Sequence, residues 1–133
     1  MRKIEALNIL KSLITNAYAP YSSFTVSAIV EGENGEYAGG VNVENASYGL
    51  TVCAERIALF NFISNGFKKP IRLFLYAPTE NFTPPCGACR QVLSEFNPDM
   101  EIVIFNKDEN FKTYELGELI PLCFNKSNLE GRK

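Results

Sequence analysis

The sequence predicts an α/β fold built on a mixed five-stranded sheet. Three observations carry that expectation. Ile71–Ala77 and Glu101–Phe105 are short, nearly continuous apolar runs, the pattern of strands covered on both faces. Between them Ala88, Val92, Leu93 and Phe96 recur at helical spacing, so the order strand, helix, strand implies a parallel pair joined by a right-handed crossover. Upstream, Phe24, Val26, Ala28 and Val30 alternate with Thr25, Ser27 and Ile29 and run toward Asn34-Gly35, the signal of a two-residue type I′ turn, which adds an antiparallel hairpin.

The elements follow in order. Ile4, Leu7, Leu10 and Ile14 fall on one face of a helix over about residues 4–15, and Tyr18-Ala19-Pro20-Tyr21 stops it. The hairpin's second strand is expected near residues 36–43. From Cys53 to Ser64 the apolar residues go most of the way round a helical wheel, which predicts a largely buried helix. A last short strand near Phe111–Tyr114 and a short helix ending before Pro121 complete the set, and the polar tail after Asn125 is expected to fray. There is no repeat and no linker; 133 residues with 46% hydrophobic content suit one domain spanning 1–133 with a real core.

Thirteen Lys and Arg against fifteen Asp and Glu leave a net charge of -2, and the longest basic cluster is Lys68-Lys69. Sequence-independent nucleic-acid binding lacks its electrostatic basis in such a chain. No apolar run approaches the ~18 residues of a membrane span, and Met-Arg-Lys-Ile-Glu does not open a signal peptide, so the expected address is cytoplasmic, away from any membrane. In that compartment four cysteines read as reduced thiols, metal ligands or catalytic groups.

Cys86-Gly87-Ala88-Cys89 follows Pro84-Pro85 and opens a helix, where unpaired backbone N–H groups stabilise thiolates. Alone, this spacing suits a redox dithiol, a structural zinc knuckle or a catalytic zinc site equally well. Cys53-Ala54-Glu55, at the start of another helix, adds a third thiol and a carboxylate. Helix starts in an open α/β sheet lie at the carboxyl ends of strands, the usual ligand position, and three protein ligands leave zinc an open fourth site, as catalytic zinc requires. With no histidine in the chain, acid-base chemistry falls to a carboxylate. Three thiolates and one zinc carry a net negative charge, to be offset by the helix starts and by a cation, for which Arg56 is the candidate.

The Cys-x-Glu with a downstream Pro-Cys-x-x-Cys resembles the zinc-dependent nucleobase deaminases. Tyr18-Ala-Pro-Tyr-Ser-Ser-Phe24, Asn42-Val-Glu44-Asn-Ala-Ser-Tyr48, Cys53-Ala-Glu-Arg56 and Pro85-Cys-Gly-Ala-Cys-Arg-Gln91 together resemble the small cytidine deaminases. The resemblance implies a three-layer αβα domain and one Zn2+ per subunit, on Cys53, Cys86 and Cys89. It also implies hydrolysis of cytidine, and of 2′-deoxycytidine, to the uracil nucleoside and ammonia. Zinc-bound hydroxide would attack C4, with Glu55 shuttling protons. Asn42 and Glu44 would bind ribose hydroxyls, Ala54 and Glu55 would read the pyrimidine edge, Phe24 would line the base pocket, and Arg56 would hydrogen-bond to ligand thiolates. Phe124 stands where the family places an aromatic contributed by a neighbouring subunit of a homotetramer. Two positions depart from the family pattern, Ser27 for a common glycine and Ile57 for the usual threonine; neither is expected to touch substrate.

Plainer readings stand beside these. A redox dithiol leaves Cys53-Ala54-Glu55 without a role. A fourth thiolate from Cys123 would close the site into a structural four-cysteine zinc module, although Pro-Leu-Cys-Phe reads as the setting of a buried, inert thiol. Taken singly, Asn42 and Glu44 are polar strand-end residues, Phe24 and Phe124 core residues, Arg56 a surface cation, and Tyr18, Tyr21 and Tyr48 loop anchors. Arg90 is expected to face water. Within the deaminases, blasticidin S is the nearest alternative substrate, over which the motifs favour cytidine.

Overall fold

The computed structural model describes residues 1–130. Alternation along the strands sorts the core into two layers. Ile29, Phe74, Val103 and Phe105 face one side of the sheet, where α1 (Lys3–Leu13) covers them with Ala6, Leu7 and Leu10. Ala28, Val30, Leu73, Leu75, Ile102 and Ile104 face the other. There they meet Ala54, Ala58, Leu59 and Phe62 of α2 (Ala54–Ser64) and Leu93 of α3 (Gly87–Phe96). The result is the three-layer arrangement expected.

The five strands are β1 (Ser27–Gly32), β2 (Tyr37–Val41), β3 (Pro70–Tyr76), β4 (Glu101–Phe105) and β5 (Phe111–Glu115), in spatial order β2-β1-β3-β4-β5. Only β3 and β4 pair in parallel, and α3 connects them. Glu31, Arg72 and Glu101 sit in one register row across β1, β3 and β4. The Arg72 guanidinium pairs with both carboxylates, at 2.6 Å to Glu31 and 2.7 Å to Glu101. Among the described residues the last elements are α4 (Leu116–Leu119) and α5 (Lys126–Glu130).

Several details differ from expectation. The hairpin turn has a three-residue loop, 33–35: Gly35 donates to the Gly32 carbonyl at 3.2 Å and takes φ 85°, while Asn34 lacks the positive φ that type I′ demands. β1 starts only at Ser27, so Phe24 lies in a loop and is not a core residue. Ile4 is exposed. Part of the expected frayed tail is helical as α5, and residues 131–133 lie outside the described part. The largest difference concerns α2, which buries Ala54, Glu55, Ala58, Leu59 and Phe62 but leaves Phe60 and Ile63 exposed at 47% and 37%. In the single chain it is therefore a half-buried helix with an apolar outer stripe.

Two contacts fix where the helices sit. A Cβ on Gly40 would stand 2.5 Å from the Ala58 nitrogen and 2.8 Å from Cγ2 of Ile57, so only glycine lets α2 lie this close to β2. On the opposite face the fully buried Ser27 donates from Oγ to the Leu10 carbonyl at 2.8 Å, tying β1 to α1.

Candidate active site

Past the end of β2 the chain continues through residues 42–44, where Val43 bridges Tyr18 on one side and Val52 on the other. That pairing brings Asn42 and Glu44 beside Cys53, which caps the start of α2. Cys86 caps α3 in the same way, with Cys89 three residues into the helix. The loop leading to Cys86 is moored to the β4–β5 turn: Lys107 N–H donates to the Thr79 carbonyl at 2.9 Å and Asn106 Nδ2 to the Glu80 carbonyl at 3.0 Å. Both helix starts thus meet at the end of the sheet where β3 stops and β1 begins.

There the Sγ atoms of Cys53, Cys86 and Cys89 lie within 4.8 Å of one another, with Cys53 and Cys86 at 3.9 Å, and none is in a disulfide. Zn–S bonds of ~2.3 Å in tetrahedral geometry place two sulfurs about 3.8 Å apart, so the donor set fits zinc. Two helix N-termini add positive potential at these sulfurs. Arg56 donates from Nη2 to Cys53 Sγ at 3.5 Å, while its buried Nε has no hydrogen-bond partner among the described residues. The Cys53 thiol is lowered to about 5, first by its hydrogen bond with Cys89 and then by Arg56 and Cys86. The same bond to Cys53, followed by burial, raises Cys89. Burial pushes the Glu55 carboxyl up to about 7, with the Cys53 charge acting in the same sense.

A cleft of about 270 Å³ opens beside the sulfurs, close to the lower end of small-molecule sites. It is lined by Phe24, Asn42, Glu44, Ala54 and Glu55 as well as Cys53 and Cys86. Asn42 is buried, its Oδ1 accepting from Val26 N–H at 2.9 Å and its Nδ2 donating to the Phe24 carbonyl at 2.7 Å. Glu44 Oε1 accepts from the N–H groups of Tyr21 and Ser22 at 2.9 and 3.2 Å, and Oε2 accepts from the Ser22 hydroxyl. These bonds, the hydroxyl's above all, hold its carboxyl below the usual carboxylate range.

Comparison with known proteins identifies the family. The family model of the cytidine and deoxycytidylate deaminase zinc-binding region matches residues 2–106. The chain belongs to this family. It is 43% identical over 109 residues to the cytidine deaminase of Halalkalibacterium halodurans, covering 81% of this chain and 83% of that one. To the cytidine deaminase of Sporosarcina psychrophila it is 40% identical over 114 residues, covering 85% and 84%. The crystal structure of the cytidine deaminase from Burkholderia pseudomallei superposes with a TM-score of 0.89 at 38% identity, covering 93% of this chain and 100% of that chain.

Of the expected site residues, one is placed apart from the rest: Phe124 does not line the cleft of its own chain and is 51% exposed. Cys123 is not among the converging sulfurs. It lies half-buried against polar groups, 3.0 Å from Ser94 Oγ and 3.2 Å from Gln91 Oε1, not in the apolar setting expected. Arg90, expected in water, is half-buried and donates to the carbonyls of Pro85 and Leu119, both at 2.7 Å. Tyr21 and Tyr48 do meet edge to face, with centroids 5.9 Å apart, but both remain exposed. The cleft also takes in Thr51, Leu75 and Thr83, which sequence reasoning passed over. Leu75 reads as any core strand residue, and the threonines gave no signal beyond adjacency to the motifs.

Proposed function

We propose that this chain, acting as a single domain, hydrolyses cytidine and 2′-deoxycytidine to uridine and deoxyuridine with release of ammonia. The observation that carries the reading is a buried carboxylate, Glu55, beside three convergent thiols in a cleft of small-molecule size. Zinc held by Cys53, Cys86 and Cys89 would supply a polarised water of lowered pKa. The Glu55 carboxylate takes the proton that water gives up and delivers it to the ring. It then moves the proton of the hydroxyl that has added to C4 onto the exocyclic amine, and the C4–N bond breaks to release ammonia. A group poised near 7 by burial can both accept and return a proton near neutrality. Arg56, with the two helix starts, offsets the negative charge of the thiolates. Phe24 walls the base, the backbone of Ala54 and the Glu55 carboxylate read its edge, and Asn42 and Glu44 receive the sugar hydroxyls.

The assembly we propose is a homotetramer in which a neighbour's Phe124 completes each site. The exposed stripe of Phe60 and Ile63 on α2 and the outlying position of Phe124 support it. No helix among the described residues is long and apolar enough to cross a membrane. The four free cysteines suit the reducing cytoplasm, where we place the enzyme. The decisive test follows ammonia release and ultraviolet conversion by zinc-loaded protein with cytidine, deoxycytidine, CMP and blasticidin S in parallel. Rapid, chelator-sensitive turnover of the two nucleosides is expected; turnover confined to blasticidin S, or none, would overturn the reading. Sedimentation showing an active monomer would overturn the shared site.

A further inference from the structure

The loop that carries Phe24 is held in a conformation it would not choose by itself. Ser23 sits at φ 60°, in the left-handed region that costs a residue with a side chain, and persists there only if its surroundings over-determine it. Ser23 N–H donates to the Ala19 carbonyl at 3.0 Å, and a further set of bonds converges on the neighbouring Ser22. Its hydroxyl accepts from Phe24 N–H at 3.0 Å and donates to Glu44 Oε2, while its own N–H donates to Glu44 Oε1 at 3.2 Å. One small side chain thus joins the residue that walls the base to the residue at the sugar end of the same cleft.

Counting lone pairs sharpens this. A carboxylate offers about four acceptor sites. Glu44 has three occupied, by Tyr21 N–H, Ser22 N–H and the Ser22 hydroxyl. One remains, on Oε2, and its direction is set by the hydroxyl bonded to the same oxygen. Without that bond the carboxylate would be held through Oε1 alone, and Oε2 would offer two acceptor sites in place of one.

We propose that Ser22 is a positioning residue of this active site: its hydroxyl couples Phe24 to Glu44 and leaves the carboxylate a single oriented acceptor for a sugar hydroxyl. The inference rests on the nucleoside deaminase reading above. Ser22 touches neither the reacting carbon nor the metal ligands, so its effect falls on ground-state binding and not on the chemical step.

The test compares zinc-loaded wild type, Ser22→Ala, Ser22→Thr, Glu44→Gln and the Ser22→Ala/Glu44→Gln double variant. Cytidine kinetics are measured alongside equilibrium titration with uridine. Loss of a hydrogen bond to a charged group should raise both KM and the uridine Kd in Ser22→Ala by about tenfold, with kcat within about twofold of wild type. Threonine, which keeps the hydroxyl, should restore binding to within about threefold. In the Glu44→Gln background, Ser22→Ala should add clearly less than its full factor, about threefold, because only the bond to Phe24 N–H is left for it to remove. A full additional factor there would mean general loosening of the loop and would overturn the proposal, as would unchanged KM and Kd in Ser22→Ala, or a loss of kcat that threonine does not rescue. If wild type turns cytidine over while Ser22→Ala matches it, the positioning role falls and the reaction stands. If wild type binds uridine without turnover, the reaction falls and Ser22 is judged on Kd. If it binds neither nucleoside, both fall together.

Discussion

The two ends of the cleft are built by opposite means. At the sulfur end, the functional groups stand on the first turns of α2 and α3, and those helices are fixed by packing: Gly40 admits α2 to backbone contact, and Leu93 seats α3 on the sheet. Their side chains are left free for chemistry. At the end proposed to receive the sugar, Phe24, Asn42 and Glu44 belong to irregular segments, and most of their polar capacity goes into holding those segments together. A helix start presents its residues at no further cost in side-chain bonds, whereas a loop must be tied by the residues that will also bind ligand. Damage at the first end should therefore appear in turnover or metal, and damage at the second in affinity and stability together.

The largest expected effect is at the sulfur end. Glu55→Gln should lower kcat by about 10⁴-fold with zinc content unchanged, the full range of a general acid-base group. Unaltered turnover in that variant would remove the proton-shuttle role. Arg56→Gln should weaken zinc retention by about 10–100-fold in a chelator competition, as loss of a thiolate's hydrogen-bond donor does; equal retention would mean that the helix starts alone balance the charge. Asn42→Ala strips partners from Val26 N–H and the Phe24 carbonyl, and should raise KM about tenfold while lowering stability by about 1–3 kcal/mol. A change in KM with no shift in melting temperature would erase the contrast drawn above. Cys123→Ser should be nearly silent, with metal content and kcat/KM within about twofold of wild type. Loss of zinc would instead support a four-thiolate site.

How far the sequence disclosed this arrangement depends on the kind of force involved. Strands covered on both faces and helices at 3.6 periodicity declared themselves, since burial imprints its period directly on the apolar residues. The sulfur end was legible for a related reason: thiols and a carboxylate at helix starts are an unusual composition that few structural needs would produce. The sugar end was legible only through likeness to a family, because Asn, Glu and Ser in loops are common and their partners lie 16 to 23 residues away. Arg90 failed as a prediction because its partners are backbone carbonyls, which no side-chain pattern announces. Phe60 and Ile63 failed differently. Their apolar character predicted burial, and the single chain leaves them uncovered, which periodicity cannot distinguish from a core helix.

The charged row of Glu31, Arg72 and Glu101 lies toward the end of the sheet away from the sulfurs. It acts on folding as an alignment key. Slipping β1 against β3, or β3 against β4, by one residue would turn apolar side chains toward the wrong layer and strand the nearly buried Glu31 carboxylate without its guanidinium. Three strands must therefore agree on one setting before the sheet closes. That same setting, carried along β1 and β3 to their other ends, places Ser27 opposite Tyr76 and so fixes where the helix starts converge. The precision of the catalytic end is in this sense decided at the other end of the strands, before any ligand arrives.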